Sequence, residues 1–255
     1  MLGRIVTSAL FAGFAAGLIA ALLQLALVQP VLLEAEQFET GARTLVETGT
    51  QDPAGPAVHE HGHDHGAAAH SHGTGGDTRI GGIAPLRDGL SVLFSIVVYT
   101  GYAFFLVAAM AVAADRGVAV TARRGILWGL AGYVAFQLAP AVGLPPEVPG
   151  SVSADLAARQ IWWIGTTLAT ALGLALIAFG RDRTAWGAAI VLLAAPHVIG
   201  APQADGFGGV VPAELAGAFA SRALGVGMAV WAALGLACGY FWQREGAARQ
   251  HPRTA

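Results

Sequence analysis

The chain has 255 residues, of which 55% are hydrophobic and 12% are charged, and its mean hydropathy is +0.59. Soluble domains carry about 25% charged residues, so this composition is typical of an integral membrane protein. The net charge of -2 offers no basic surface for nucleic acid. All 14 basic residues are arginine, and without lysine the chain cannot form a P-loop ATPase site. The single cysteine, Cys238, excludes an intramolecular disulfide and a cysteine-based zinc site.

Six apolar segments are candidates for transmembrane helices, because an apolar helix of about 20 residues spans the hydrocarbon core of a bilayer. They lie at residues 5–29, 90–114, 125–144, 161–180, 186–201 and 216–242. The fifth is short and contains a proline, so we expect about six transmembrane helices, with five as the alternative. The sequence therefore predicts an all-α, polytopic integral membrane helix bundle in the membrane lipid.

The first segment has an apolar stretch far longer than the roughly 7–15 residues of a signal peptide, and no small-x-small cleavage site follows it. We therefore interpret it as a retained helix, with a signal peptide as the alternative. The predicted organisation is a first transmembrane helix at residues 1–33, an external loop at 34–89, a bundle of about five transmembrane helices at 90–243, and a cytoplasmic tail at 244–255.

Arginines are concentrated before the first segment, after the sixth, and in alternate connections between them. These residues are Arg4, Arg116, Arg123, Arg124, Arg181, Arg183, Arg244, Arg249 and Arg253. Cytoplasmic loops of membrane proteins carry an excess of basic residues. We therefore expect both termini in the cytoplasm and the long first loop outside.

Glycine pairs at four-residue spacing occur in the first and sixth segments, as Gly13-x3-Gly17 and Gly235-x3-Gly239. Small residues at this spacing let two membrane helices approach closely. With 35 glycines in the chain such spacings also arise by chance, so the motifs predict helix packing and nothing more specific.

Six of the eight histidines lie in the first loop, within HEHGHDHGAAAHSH at residues 59–72. They are His59, His61, His63, His65, His70 and His72. Residues 48–82 are rich in Gly, Ala, His and Pro, show no helical or strand period, and are predicted to be disordered. Neutral imidazoles on a flexible chain bind borderline divalent metals with little selectivity. We favour metal capture by this loop over a solvated linker.

A transport pathway also needs polar groups at membrane depth, where they are costly and usually functional. In AAPHVIGAP, residues 194–202, Pro196 cannot donate to the carbonyl of Leu192, and His197 follows at once. We expect a broken helix here with His197 as a metal ligand, because discontinuous helices carry the sites of many secondary transporters. The alternative is a helix that simply ends, with His197 hydrogen-bonded at the interface.

Prolines with polar neighbours also occur near the external ends of the first and third helices. The polar and proline residues there are Gln29, Pro30, Glu34, Glu36 and Glu39 in the first, and Gln137, Pro140 and Glu147 in the third. We expect the three helix ends to converge on an outward-facing vestibule of amide, carboxylate, carbonyl and imidazole ligands. Arg222, near the start of the sixth helix, is expected to pair with Glu214 or Asp205, or to extend toward the membrane surface.

Several segments, in this order, resemble the CbtA family: QPVLLEAEQFE, the histidine-rich loop, FQLAPAVGLPPEVPG with DLAARQIWW, and PHVIGAP. The resemblance covers nearly the whole chain except the middle of the loop. Carried over by position, its motif residues are Glu34, Glu36, Glu39, Gln137, Pro140, Pro145, Pro146, Asp155, Arg159, Trp162, Trp163, Pro196 and His197. The resemblance implies the membrane subunit of a predicted bacterial cobalt transporter connected to cobalamin synthesis. It also implies a partner, CbtB, a small one-helix protein with its own histidine motif.

The sequence thus predicts a non-enzymatic uptake subunit, without a permanently bound cofactor, that captures cobalt(II) on the histidine loop and passes it through the bundle. Cobalt is implied by the resemblance, because the ligand types alone admit nickel or zinc equally. The alternatives are a nickel or zinc permease, a metal sensor or metallochaperone that binds without transport, and a scaffold with incidental histidines. The predicted pathway residues are Gln29, Gln137, Pro140, Asp155, Arg159, Pro196 and Arg222. We expect His197→Ala to impair uptake more than removal of the six loop histidines.

Overall fold

The computed structural model describes residues 2–43, 85–204, 206 and 208–250. Within these ranges the chain forms six helices and no β-strand, which confirms the predicted all-α fold. The helices are α1 Leu2–Glu39, α2 Pro85–Asp115, α3 Ala122–Gly143, α4 Leu156–Phe179, α5 Arg183–Ile199 and α6 Ala213–Gln250. The six loop histidines lie outside the described residues.

Five of these helices are long and apolar enough to cross a membrane, and α5, with 17 residues, is the shorter exception. At 1.5 Å per residue α5 is about 26 Å long, slightly less than a hydrocarbon core of about 30 Å. The expectation of a helical membrane protein with five or six spans is therefore confirmed, and the fifth segment is the weakest one, as predicted.

Helices α1 and α2 extend beyond their apolar segments. Helix α1 continues through Pro30 to Glu39, where the sequence predicted a loop from residue 34, and α2 begins at Pro85 rather than near residue 90. The backbone hydrogen bonds of a helix form within the helix itself. Polar turns can therefore remain helical beyond the apolar segment. The carboxylates of Glu34, Glu36 and Glu39 are consequently held on a helix.

Two π-helical turns lie within the long helices, at Gln24–Val28 in α1 and Val134–Leu138 in α3. In each, the residue after the turn bonds to a carbonyl five residues earlier, as the N–H of Gln29 does to Gln24. Each turn is followed two residues later by a proline. Turns of this kind occur frequently at functional sites.

The helix break predicted at Pro196 is wrong, because α5 continues through this proline to Ile199. The proline stands in the last turn, so its missing N–H removes only one hydrogen bond near the helix end. The indole Nε1 of Trp162 donates to the carbonyl of Pro196 at 3.3 Å, and Gly200 ends the helix with a φ of 86°.

Aspartates cap the first turns of α4 and α5. The carboxylate of Asp155 accepts from the N–H of Ala158 at 2.9 Å, and that of Asp182 accepts from Ala185 at 2.8 Å. The hydrogen bond from Ala185 lowers the pKa of the Asp182 carboxyl below its usual value, because it stabilises the ionised form. Such caps satisfy backbone donors that a helix cannot satisfy internally.

Helix α1 packs against α2 and α6, α6 packs against α3, and α3 contacts the α4–α5 pair. The glycine motifs lie at these crossings. A Cβ on Gly13 would lie 2.9 Å from the backbone nitrogen of Thr100, and one on Gly235 would lie 2.7 Å from the Cα of Gly129. The helix packing predicted from the motifs is therefore confirmed. The buried core at these crossings includes Ala9, Ala12, Ala16, Val107, Met110, Trp231 and Leu234.

The two ends of the bundle differ in charge. The guanidinium of Arg4 donates from Nε to the carbonyl of Trp242 at 2.9 Å and stacks on its indole, so the first and last helices meet at one end. We call this the arginine-rich end, because the described arginines that also belong there are Arg116, Arg123, Arg124, Arg181, Arg183 and Arg244. Helix α1 ends, and α2 begins, at the opposite end.

Candidate functional site

The candidate site is a polar cavity between α1, α2, α3 and α6, bordered by Trp163 of α4. It consists of two adjoining spaces of about 290 and 650 Å³ that share several lining residues. The polar side chains that line both spaces are Gln24, Arg87, Ser91, Ser95, Tyr99 and Gln137. We call these two spaces the polar cavity.

The polar cavity extends deep into the bundle. On α2 its lining runs from Arg87 to Tyr102, which corresponds to about 22 Å of helix. This length approaches the thickness of a bilayer core, about 30 Å. The lining begins near the end opposite the arginine-rich end, so the cavity joins that end of the bundle to its interior.

Charged and amide groups surround the shallow part of the cavity. The amide Nε2 of Gln29 donates to Oδ1 of Asp88 at 3.1 Å, which links α1 to α2. The same Asp88 oxygen lies 3.2 Å from the guanidinium of Arg87. Glu36, about two turns beyond Gln29, supplies the carboxylate that lines the cavity itself. Both charge signs are therefore present at the shallow part of the cavity.

The deep part of the cavity is bordered by aromatic rings that pack against one another at an angle. The ring of Tyr102 lies 5.3 Å from Phe136 and 4.7 Å from Trp231, and Phe136 lies 6.2 Å from Trp163. Aromatic rings at these separations attract one another and leave little space between them. The cavity thus changes from amide and hydroxyl lining to aromatic lining with depth.

The π turns supply two of the cavity amides, since Gln24 starts the turn in α1 and Gln137 lies in the turn of α3. On α6, Gly227 is buried against the Gln137 side chain, and a Cβ at position 227 would overlap the amide of Gln137. The position of the Gln137 amide therefore depends on the absence of a side chain at Gly227.

The donor atoms of the cavity are mainly neutral oxygens. In the described part of the chain, no group of three or more His, Cys, Asp or Glu side chains is placed to hold a metal ion. Amide, hydroxyl and single carboxylate oxygens bind divalent ions weakly and suit ions that keep part of their water. This chemistry fits passage or transient binding better than permanent storage.

The sequence model of one protein family matches residues 2–243, nearly the full length, and its description is probable cobalt transporter subunit (CbtA). The chain belongs to the CbtA family. The resemblance found in the motifs is therefore confirmed, and this CbtA chain is a membrane protein of a family of probable transporter subunits. No curated protein and no solved structure matches the CbtA chain.

The predicted ligands on α1 and α3 of this CbtA chain separate into two groups. Gln29, Gln137 and Glu36 line the polar cavity. Glu34 instead pairs with Arg43 at 2.7 Å, and Glu39 is exposed and packs near Gly150. Pro140, also predicted, is buried at the start of the last turns of α3. The three carboxylates therefore do not converge on one point.

Other predicted residues of the CbtA chain make contacts between helices and loops at the end opposite the arginine-rich end. Asp155 caps α4, and Arg159 pairs with Glu147 at 2.8 Å between α3 and α4. Arg222 donates from Nη1 to the backbone carbonyl of Leu27 at 3.2 Å. The expected pairing of Arg222 with Glu214 is absent among the described ion pairs, and Asp205 lies outside the described residues.

His197 of the CbtA chain lies on α5, exposed and beside Trp162, with a ring-centroid distance of 6.3 Å. It is absent from the linings of the two spaces that form the polar cavity. Its role as a metal ligand stays a prediction. The structure brings Gln29, Gln137 and Glu36 together but leaves His197 apart, on the α4–α5 pair that packs against α3.

Several cavity residues of the CbtA chain were missed by sequence reasoning: Gln24, Ser91, Ser95, Tyr99, Tyr102 and Gly227. Gln24 had a usable signal, because an amide in the middle of an apolar segment is costly in a membrane. Serine and tyrosine give a weaker signal, since both are tolerated in membrane helices. Gly227 gave none among 35 glycines.

Proposed function

We propose that this chain is the membrane-embedded subunit of a cobalt(II) uptake transporter and that the ion moves through the polar cavity. The observation that carries the proposal is the series of amide and hydroxyl side chains along α1, α2 and α3 at membrane depth. Polar groups at this depth are costly, and they mark ion paths in membrane proteins. The family description, probable cobalt transporter subunit, supports cobalt as the ion.

The proposed direction is inward. Basic residues favour the cytoplasmic side, which assigns the arginine-rich end and both termini to the cytoplasm of a bacterial inner membrane. The polar cavity begins near the opposite end, where α1 ends and α2 begins. In this orientation the loop at 44–84 and its six histidines are outside, on the side where the cavity begins.

We further propose a division of roles between loop and cavity. Imidazoles of the loop bind cobalt(II) and raise its local concentration, since nitrogen ligands prefer such borderline ions. The cavity then offers oxygen ligands that replace part of the hydration shell and release the ion again, because conduction requires binding that is favourable but weak. The word subunit in the family description supports a partner, for which we propose a one-helix protein of the CbtB type.

The proposal is tested by cobalt accumulation in cells that lack the chain and receive it back in wild-type or altered form. Ser95 is buried and lines both parts of the cavity, so Ser95→Leu should fill it and lower accumulation. Ser221→Leu is the matched control, because Ser221 is exposed on α6 and absent from the cavity lining. Immunoblots of membranes establish equal amounts of both variants.

The outcomes separate the candidate functions. Accumulation restored by wild type and by Ser221→Leu, but not by Ser95→Leu, supports transport through the cavity. Cobalt bound at the cell surface without accumulation would support a sensor or metallochaperone. Stronger accumulation of nickel or zinc than of cobalt would support the other permeases.

A further inference from the structure

We propose that the amides of Gln24 and Gln137 form a two-amide cation site inside the polar cavity. The Gln137 amide packs against Gly227, which leaves room for it. The site takes a divalent cation that keeps most of its water and exchanges some waters for the two amide oxygens. This inference deepens the proposed function and rests on it for its role in transport. The binding site itself is tested independently of uptake.

The first support is the shared position of the two amides. Gln24 and Gln137 come from different helices, yet both line both parts of the polar cavity. A third glutamine, Gln29, lines only the smaller of the two spaces. Its amide already donates a hydrogen bond to Asp88. Gln24 and Gln137 are therefore the amides available at the junction of the two spaces.

The second support is the backbone that carries them. Both residues lie in π turns, and each turn is followed two residues later by a proline, Pro30 or Pro140. A proline has no N–H, so a carbonyl in the preceding turn loses its helical donor. Arg222 donates to the Leu27 carbonyl in the turn of α1, which shows that an oxygen there accepts from outside the helix. Irregular helical backbone of this kind lies at the ion sites of transporters.

The third support is the seat on α6. A Cβ at Gly227 would overlap the Gln137 amide, with its Cδ only 2.6 Å away. Two residues earlier, a Cβ on Gly225 would meet nothing within 4 Å. The same helix therefore offers one glycine whose substitution displaces the amide and one whose substitution does not.

Neutral amides explain how such a site serves an ion in transit. An amide oxygen carries a partial negative charge that replaces a water ligand, whereas a carboxylate adds full charge attraction and slows release. Two amides that turn their oxygens toward the ion therefore bind a cation without trapping it. They give little discrimination among divalent ions, so the metal preference of the complex must come from nitrogen ligands elsewhere.

The test measures cobalt(II) binding to the purified full-length chain by quenching of tryptophan fluorescence. Trp163 and Trp231 border the polar cavity, so a bound cobalt ion quenches them. The six loop histidines and His197, which lies beside Trp162, are replaced by alanine to remove the predicted imidazole ligands. We expect saturable quenching in this background. The half-saturation concentration should be about tenfold higher for Gln24→Leu or Gln137→Leu, because each substitution removes one oxygen ligand of a charged ion. Gln37→Leu, an exposed α1 residue outside the cavity lining, is the control.

Gly227 gives a second, independent readout. Gly227→Ala should raise the half-saturation concentration, whereas Gly225→Ala should leave it unchanged. If Gly227 acts only by seating the Gln137 amide, Gly227→Ala should add nothing in a Gln137→Leu background, because the two substitutions then remove the same interaction. Circular dichroism and size-exclusion profiles identify any variant that fails to fold.

Unchanged half-saturation in folded Gln24→Leu and Gln137→Leu, or no saturable quenching in the starting protein, overturns the two-amide site. An additive effect of Gly227→Ala in the Gln137→Leu background overturns the seating role of Gly227. If these binding results are as expected but cells accumulate no cobalt, the transport proposal fails while the site stands.

Discussion

Gly129 of α3 and Gly235 of α6 lie in direct backbone contact: a Cβ on Gly129 would be only 3.0 Å from the Cα of Gly235. The same Cβ would overlap the carbonyl of Trp231. The same two helices also line the polar cavity, for example through Gln137 and Gly227. Their spacing at this crossing therefore depends on two positions that carry no side chain.

We expect Gly129→Ala to destabilise the folded protein by about 1–3 kcal/mol, because the added methyl group must force two backbones apart. Gly165→Ala on α4 is the control, since a Cβ there meets nothing within 4 Å. Alanine favours a helix over glycine by up to about 1 kcal/mol, so this control should be as stable as wild type or more so. The measurement is thermal unfolding of purified protein, and equal stability of the two variants would contradict the tight crossing.

The orientation is tested by labelling single cysteines from outside the cell with an impermeant thiol reagent. The native Cys238 is fully buried and gives little background. Gln203→Cys, in the exposed connection before α6, should react, and Ala119→Cys, in the exposed connection before α3, should not. A cysteine at Gly73 in the histidine loop should react as well. Labelling of Ala119→Cys alone would reverse the assignment made from the arginine-rich end.

Replacing the six loop histidines by alanine should lower cobalt uptake at low external cobalt and leave saturated uptake largely intact, because capture raises local concentration without forming the path. Protonated imidazole cannot bind metal, so the contribution of the loop should disappear as external pH falls below about 6.5, the ordinary pKa of histidine. Uptake curves at pH 7.5 and pH 5.5, for wild type and variant, measure both effects. Loss of uptake at all concentrations would make the loop part of the path.

His197→Ala distinguishes the two locations proposed for the transport ligands. Because His197 is exposed beside Trp162 and absent from the cavity lining, we expect this variant to lose less uptake than Gln137→Leu. The motif alone predicted a severe loss. Cobalt uptake by both variants, with equal amounts in the membrane, measures the difference, and a larger loss for His197→Ala would return the ion path to α5.

Gln29→Leu should change the cobalt concentration needed for uptake more than the maximal rate of uptake. The variant removes the hydrogen bond to Asp88 that links α1 to α2 where the cavity begins. We expect the cobalt concentration for half-maximal uptake to rise at least about tenfold with a similar maximal rate, because a hydrogen bond to a charged group contributes about 1.5–3 kcal/mol. Leu33→Ala, on the same helix and lining the same part of the cavity without a polar group, is the control. A lowered maximal rate with unchanged half-saturation would place Gln29 deeper in the path.

The sequence by itself determined the class of fold, the number of helices and their approximate positions. Long apolar segments can satisfy their backbone groups in lipid only as helices, so hydropathy is nearly sufficient to locate them. The family was also determined by local motifs, from the end of the first helix to PHVIGAP. The predicted helix ends were less accurate, as the continuation of α1 from Pro30 to Glu39 shows. Helical hydrogen bonds continue into polar turns, where hydropathy gives no signal.

Only the tertiary structure decided which polar residues share a cavity. Ser95, Tyr99 and Gln24 are isolated polar residues in apolar segments, and their convergence depends on how α1, α2 and α3 are rotated about their axes. The π turns add to this rotation, because an extra residue in one turn shifts everything after it around the helix. His197 shows the converse, since a conspicuous motif on α5 lies apart from the cavity. Rotation and neighbour contacts are properties of the packed bundle, and no single segment specifies them.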